Sequence, residues 1–237
     1  MFQKTKTTNK LTALLLVLVM LLSLVPGMSL TAYAEGTAVD LSTLTGNYTA
    51  TDGDVLSGTA SGKTVTIPAG ATVTLNGVNI SNGSINCAGD ATIILMGDNS
   101  ISASSNNAAI QLNLTDAYSE NYTLTITGTG SITAQGGSDA AGIGSGSVHE
   151  SGNIIITGGT IIATGGNNGA GIGSGFCADA KNITITNTVT KVTATKGSGA
   201  EHSIGGGAIG GMFYGCRVTI DGTNYDGIST SPYTYQP

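Results

Sequence analysis

The chain has 237 residues, 37 of them glycine, with 14 acidic residues against 8 basic ones and a formal charge of −6. Nucleic acid and anionic membrane surfaces are excluded as partners, since both are bound through clustered Lys and Arg. Gly, Ser, Thr and Asn dominate, as they do in disordered chains, but apolar positions recur here too regularly for a chain without a core.

Lys4, Lys6 and Lys10 precede an apolar stretch from Leu11 to Val25, and Ala32-Tyr33-Ala34 forms a small-x-small end. Residues 1–34 therefore read as a secretory signal peptide. A membrane anchor would need about 20 unbroken apolar residues, and Pro26-Gly27 interrupts the run. The chain is expected to be secreted, extracellular or held at the cell surface, with no membrane insertion once that segment is removed. Removal leaves Lys63, Lys181, Lys191, Lys196 and Arg217 against all 14 acids, a charge of about −9.

Residues 35–62, with Leu41, Leu44, Val55 and Leu56, read as an N-terminal cap region. Over residues 63–221 one phrase returns: a Thr/Ile run, a Gly break, a second Ile/Val run, then a Gly-rich stretch around one Ile. Its clearest copies are Tyr122 to Gly146 and Asn153 to Gly175. A shorter turn of about 20 residues, Val73 to Leu75 with Ile80 and Ile85, precedes them. Side by side, the copies predict four apolar ladders: Leu95, Ile126, Ile156, Ile185; Ile101, Ile132, Ile161, Val192; Ala103, Ala134, Ala163, Ala194; and Ile110, Ile143, Ile172, Ile204. Units that recur in this way bury their apolar faces only against their neighbours.

Within each run apolar and hydroxyl residues alternate, as in Thr123-Leu124-Thr125-Ile126-Thr127, which is strand periodicity. Three short strands per repeat with Gly at the corners predict an all-β fold, a parallel β-helix (β-solenoid) of about six or seven coils with like residues about 4.8 Å apart along the axis. The outward rows Thr125, Ile155, Thr184 and Thr127, Thr157, Thr186 are explained by β propensity. Residues 222–237, polar and rich in Tyr, Ser and Thr, read as a C-terminal tail or cap; an uncovered end would offer unpaired backbone to other chains.

Gly169 to Gly175 (GAGIGSG), Ala141 to Gly146 and Ile156 to Gly166 (ITGGTIIATGG) resemble the repeats of extracellular β-helix proteins of Firmicutes, chiefly Clostridia. Leu56-Ser-Gly-Thr and Val73 to Ile80 are similar to a related group of secreted carbohydrate-binding β-helix proteins, which share their fold with pectate lyases. The resemblance spans roughly residues 52 to 212 and implies a right-handed coil, a place on the cell surface or outside the cell, polysaccharide binding, and calcium as a frequent ligand.

No catalytic constellation accompanies these repeats. The resemblance to pectate lyases would ask for a carboxylate cluster with a basic residue, yet Arg217, the one Arg in the chain, has no acidic pair near it in sequence. No Asp-Asp pair offers the two carboxyls of a glycoside hydrolase, so no catalytic residue is nominated. His149 and His202 lack zinc spacing. Asp98, Asp139 and Asp179, each near Gly or Asn, are weak calcium candidates.

The aromatics collect after the fourth ladder: Tyr118, Phe176, Phe213 and Tyr214. Loops leaving one corner of successive coils lie side by side, so these rings are expected to form a strip on which sugar rings stack while His149, Glu150 and Asp179 bond hydroxyls; alternatively each ring shields its own loop. Cys177 and Cys216 follow the same corner, and the spacing allows a disulfide between them; otherwise the three cysteines are small buried hydrophobes. The expected function is a non-catalytic glycan- or polysaccharide-binding module. The alternatives are a structural or self-assembling module contacting other protein chains, and a polysaccharide lyase-like enzyme.

Overall fold

A computed structural model describes residues 36–114, 121–207 and 216–237. The segment read as a signal peptide, 1–34, lies outside them, as do Tyr118, Phe213 and Tyr214. The alternating runs form strands, nearly all paired in parallel. Among the described residues the one helical turn is the 3₁₀ turn Leu41–Thr43, capped by Asp40, whose Oδ1 accepts the Ser42 N–H at 2.9 Å. The chain is all-β with long parallel sheets, an arrangement compatible with a β-solenoid.

The strands fall into three stacks. The first runs through the leading halves of Val55–Ser61 and Thr72–Ser81, then Ala91–Met96, Thr123–Gly128, Asn153–Ile156, Ile183–Ile185 and Val218–Ile220. The second takes the trailing halves of those two long strands, then Asp98–Ser102, Ser131–Gln135, Thr160–Thr164 and Lys191–Thr195. The third is a separate seven-stranded sheet from Tyr48–Thr49 through Ser84–Cys87 to Ile204–Gly205.

Inward residues of each stack pile into columns. The ladder Ile110, Ile143, Ile172, Ile204 is present as expected, extended backwards by Ile85 and Val65. The other three shift by two residues where the longer repeats begin. Ile126 stands over Ile93, and Leu95 meets Gly128. Ile132 stands over Asn99, and Ile101 meets Ala134, so Ala103 falls outside its expected column. A slip of two keeps every side chain on its own face, so alternation cannot detect it. Ile93, Ile126, Ile156, Ile161 and Ile185 are fully buried, and each such side chain stabilises the fold by about 1.5–3 kcal/mol.

Asn99 sits in an otherwise aliphatic column, and it is buried. Its Oδ1 accepts the Val78 N–H at 2.9 Å, and its Nδ2 donates to the carbonyls of Met96 and Ser131, both at 3.0 Å. These bonds satisfy backbone groups at the corner between the first two stacks, as burial requires.

Both ends of the stacks are covered. At the N-terminal end Ala38–Asp40 pairs in parallel with Val55–Ser61, and Leu41 is buried. Asp54, fully buried, accepts Tyr48 OH at 2.7 Å, Thr51 N–H at 2.8 Å and Thr37 N–H at 3.2 Å. At the other end the chain turns antiparallel: Thr223–Tyr225 closes the first stack and Tyr233–Tyr235 the second. Ile228 is buried and bridges to Ile204, the last residue of the isoleucine column.

Candidate functional site

The loops that leave the third stack are set by glycine. Gly144, Gly173 and Gly205 lie one above another with φ of +135°, +133° and +134°. A Cβ on Gly144 would overlap the Gly173 carbonyl, and one on Gly173 the Gly205 carbonyl. The chain turns there with no side chain in the way. The next residue, Ser145 or Ser174, is fully buried. Ser174 Oγ donates to the Ala178 carbonyl at 2.6 Å and accepts the Gly207 N–H at 3.0 Å; Ser145 Oγ accepts the Gly175 N–H at 3.4 Å. The repeated Gly-Ser-Gly is thus a fastening between neighbouring loops.

Beyond it, residues 145–152 and 174–182 run side by side. Val148 N–H donates to the Phe176 carbonyl at 2.8 Å, Ser151 N–H to Asp179 at 2.9 Å, and Lys181 N–H to Ser151 at 3.2 Å. Val148 and Cys177 hold equivalent positions, and both adopt left-handed backbone, φ +58° and +53°, which is uncommon for any side chain and costly for a β-branched one.

Four expected site residues are brought together by this pairing. Phe176 is half-buried, His149 is exposed, and Glu150 and Asp179 are half-buried on adjoining rows. Glu150 Oε2 accepts the Asp179 N–H at 2.8 Å. Burial, and secondarily the negative charge of Asp179, raise the Glu150 carboxyl above the ordinary carboxylate range, against the opposing pull of that hydrogen bond and of Lys181. His149 Nδ1 lies 2.8 Å from the Ser147 carbonyl, fixing the ring over its own loop. Chemically the two paired rows carry one aromatic ring, an imidazole and two carboxyls. That composition can hold a hydroxylated ring.

The remaining candidates stand elsewhere. Asp139 touches the strip only through its carbonyl, which accepts the Phe176 N–H at 2.8 Å; its carboxyl accepts Asn168 Nδ2 at 2.6 Å. Asp98 lies on the second stack and accepts Ser131 Oγ at 2.7 Å. The three aspartates considered for calcium are therefore not gathered, and among the described residues no three His, Cys, Asp or Glu side chains group as a metal site.

The structure does not join Cys177 to Cys216 by the disulfide that the spacing allowed. Pairing of Ile183 with Val218 sets Cys216 against Lys181 rather than Cys177, and Cys216 Sγ donates to the Lys181 carbonyl at 3.1 Å. Burial, with a smaller push from Asp179, raises the Cys216 thiol to about 12. Cys87, inside the third stack, is raised to about 12 by burial alone.

One polar row escaped the sequence reading. Asn153 Nδ2 donates to Asn121 Oδ1 at 3.0 Å, and Asn182 Nδ2 to Asn153 Oδ1 at 3.1 Å, an asparagine column at the entrance to the first stack. Its signal is the Asn that opens Asn121-Tyr-Thr, Asn153-Ile-Ile and Asn182-Ile-Thr.

Compared with protein-family models, curated proteins and solved structures, the chain matches none.

Proposed function

We propose that the chain is a right-handed parallel β-helix of six or seven coils, three short strands to a coil, that acts outside the cell or at its surface by binding polysaccharide or glycan without chemical change to it. The observation that carries this reading is the hydrogen-bonded pairing of residues 145–152 with 174–182, which sets Phe176, His149, Glu150 and Asp179 on one strip. A sugar ring lays its C–H face on Phe176, and the imidazole and carboxyls bond its hydroxyls. Each contact is weak; a rigid body that presents several, in many copies on one surface, gains by valency.

The test is capture of the purified chain on insoluble polysaccharides and arrayed glycans, with and without calcium, for the wild type and Phe176→Ala. The reading expects glycan capture that falls by about two- to tenfold in the variant, as loss of one stacking aromatic implies. Capture by no glycan would overturn it. Concentration-dependent filaments in micrographs would favour a self-assembling module instead, and release of unsaturated uronides a lyase.

A further inference from the structure

A second polar feature lies on the outer side of the first stack, where repeat length changes. From Gly70 to Asp90 the chain advances 20 residues, and from Asp90 to Thr123 it advances 33, yet the three positions are neighbours in one outward column. At this step there is an open groove of about 290 Å³ lined by Gly70, Asp90, Ala91, Thr92, Thr123 and Thr125. Gly70 contributes no side chain, which opens one end. Thr92 and Thr125 are paired across adjacent strands, so their side chains stand about 4.8 Å apart on one face.

Asp90 Oδ1 accepts the Thr123 N–H at 2.7 Å, which fixes the carboxyl at the groove wall and leaves Oδ2 as an acceptor for a ligand. The geometry points to a saccharide subsite: one uncharged sugar residue seated in the groove, a hydroxyl donating to Asp90 Oδ2, and others bonding the hydroxyls of Thr92, Thr123 and Thr125. The volume is at the lower limit of about 300 Å³ for small-molecule sites, which suits a single ring. No basic side chain lines the groove, and the chain carries a formal charge of −6, so uronates, sulfated sugars and phosphates are rejected by the carboxyl. This inference deepens the glycan reading and rests on it for its biological sense, but it uses none of the loop residues.

The test is an amide-shift titration of the purified chain by nuclear magnetic resonance with methyl glucoside, methyl galactoside and methyl mannoside, and with galacturonate as the charged counterpart. At least one neutral glycoside is expected to move the amides of Thr92, Thr123 and Thr125 saturably, and galacturonate to leave them unmoved. Asp90→Asn keeps an oxygen for the Thr123 N–H and so keeps the fold; it is expected to weaken the neutral sugar about tenfold or more. Thr125→Val preserves shape and is expected to weaken it several-fold. Silence of the groove amides with all three glycosides, undiminished affinity in Asp90→Asn, or equal binding of galacturonate overturns the subsite. Phe176→Ala separates the two readings. If polysaccharide capture depends on Phe176 while the groove stays silent, the loop strip stands and the groove falls. If the groove titrates while capture ignores Phe176, the groove stands and the strip falls.

Discussion

The two halves of the chain build the same interior from repeats of different length. Val65 to Ile85 is a step of 20 residues, and Ile110 to Ile143 a step of 33, but all four side chains stand in one buried column. The extra residues do not thicken the core. They go into turns such as 138–142 and into loops such as 145–152, stitched to their neighbours by backbone hydrogen bonds. Stability and surface chemistry are therefore separable: inward columns hold the body together, and corner loops and outward rows are what it presents outside.

Substitutions in the column should do the most damage. Ile156→Ala empties a fully buried site between two other isoleucines and is expected to cost about 3–5 kcal/mol, read as a lower denaturant midpoint. Gly173→Ala puts a Cβ against the Gly205 carbonyl at a φ of +133°; a loss of about 3 kcal/mol is expected, and an unchanged midpoint would show that the corner is not packed as described. Asp54→Ala leaves the Tyr48 hydroxyl and two amides without their acceptor, for about 2–3 kcal/mol.

Tyr48 makes a smaller, pH-dependent contribution. Burial first, then its bond to Asp54 and the nearby negative charge, raise the phenol above its ordinary value. The folded chain holds that proton more tightly than the unfolded chain, so the contribution is complete below a pH of about 10 and disappears as pH rises through the raised folded value. Tyr48→Phe should flatten that alkaline limb of a stability–pH curve. At the far end of the scale, Phe176→Ala on the half-buried strip is expected to move the midpoint by no more than about 1 kcal/mol. A large loss there would mean that the ring props up the body rather than meeting a ligand.

Alternation made the strands and their faces legible, and the Gly-Ile-Gly phrase placed the third-stack column without error. Register was less legible. Ile101-Ser-Ala103 and Ile132-Thr-Ala134 look like copies of each other, yet Asn99 occupies the place opposite Ile132 because its amide satisfies three backbone groups at a corner. A polar residue doing an aliphatic residue's positional job carries no periodic signal. The Gly-Ser-Gly corner was legible, and with it the neighbouring rows that carry Phe176, Glu150 and Asp179; the strip of rings expected there draws on Tyr118, Phe213 and Tyr214, which lie outside the described residues. Asp98 and Asp139 were not part of it, because each carboxyl is engaged by the neighbouring repeat, Ser131 or Asn168, and loop pairing leaves no spacing rule in the sequence. For the same reason Cys216 lies against Lys181 and not against Cys177.

Methyl-to-methyl contacts in a chain labelled at Ile, Leu, Val and Ala test the shared interior most directly. Stacked strands lie about 4.8 Å apart, so strong cross-peaks are expected for Ile93 with Ile126, Ile126 with Ile156, Ile156 with Ile185, and Ile101 with Ala134. Absence of the Ile126, Ile156 and Ile185 series, or a dominant contact of Ile101 with Ile132 in place of Ala134, would contradict the columns and with them the positions of every loop built on their corners.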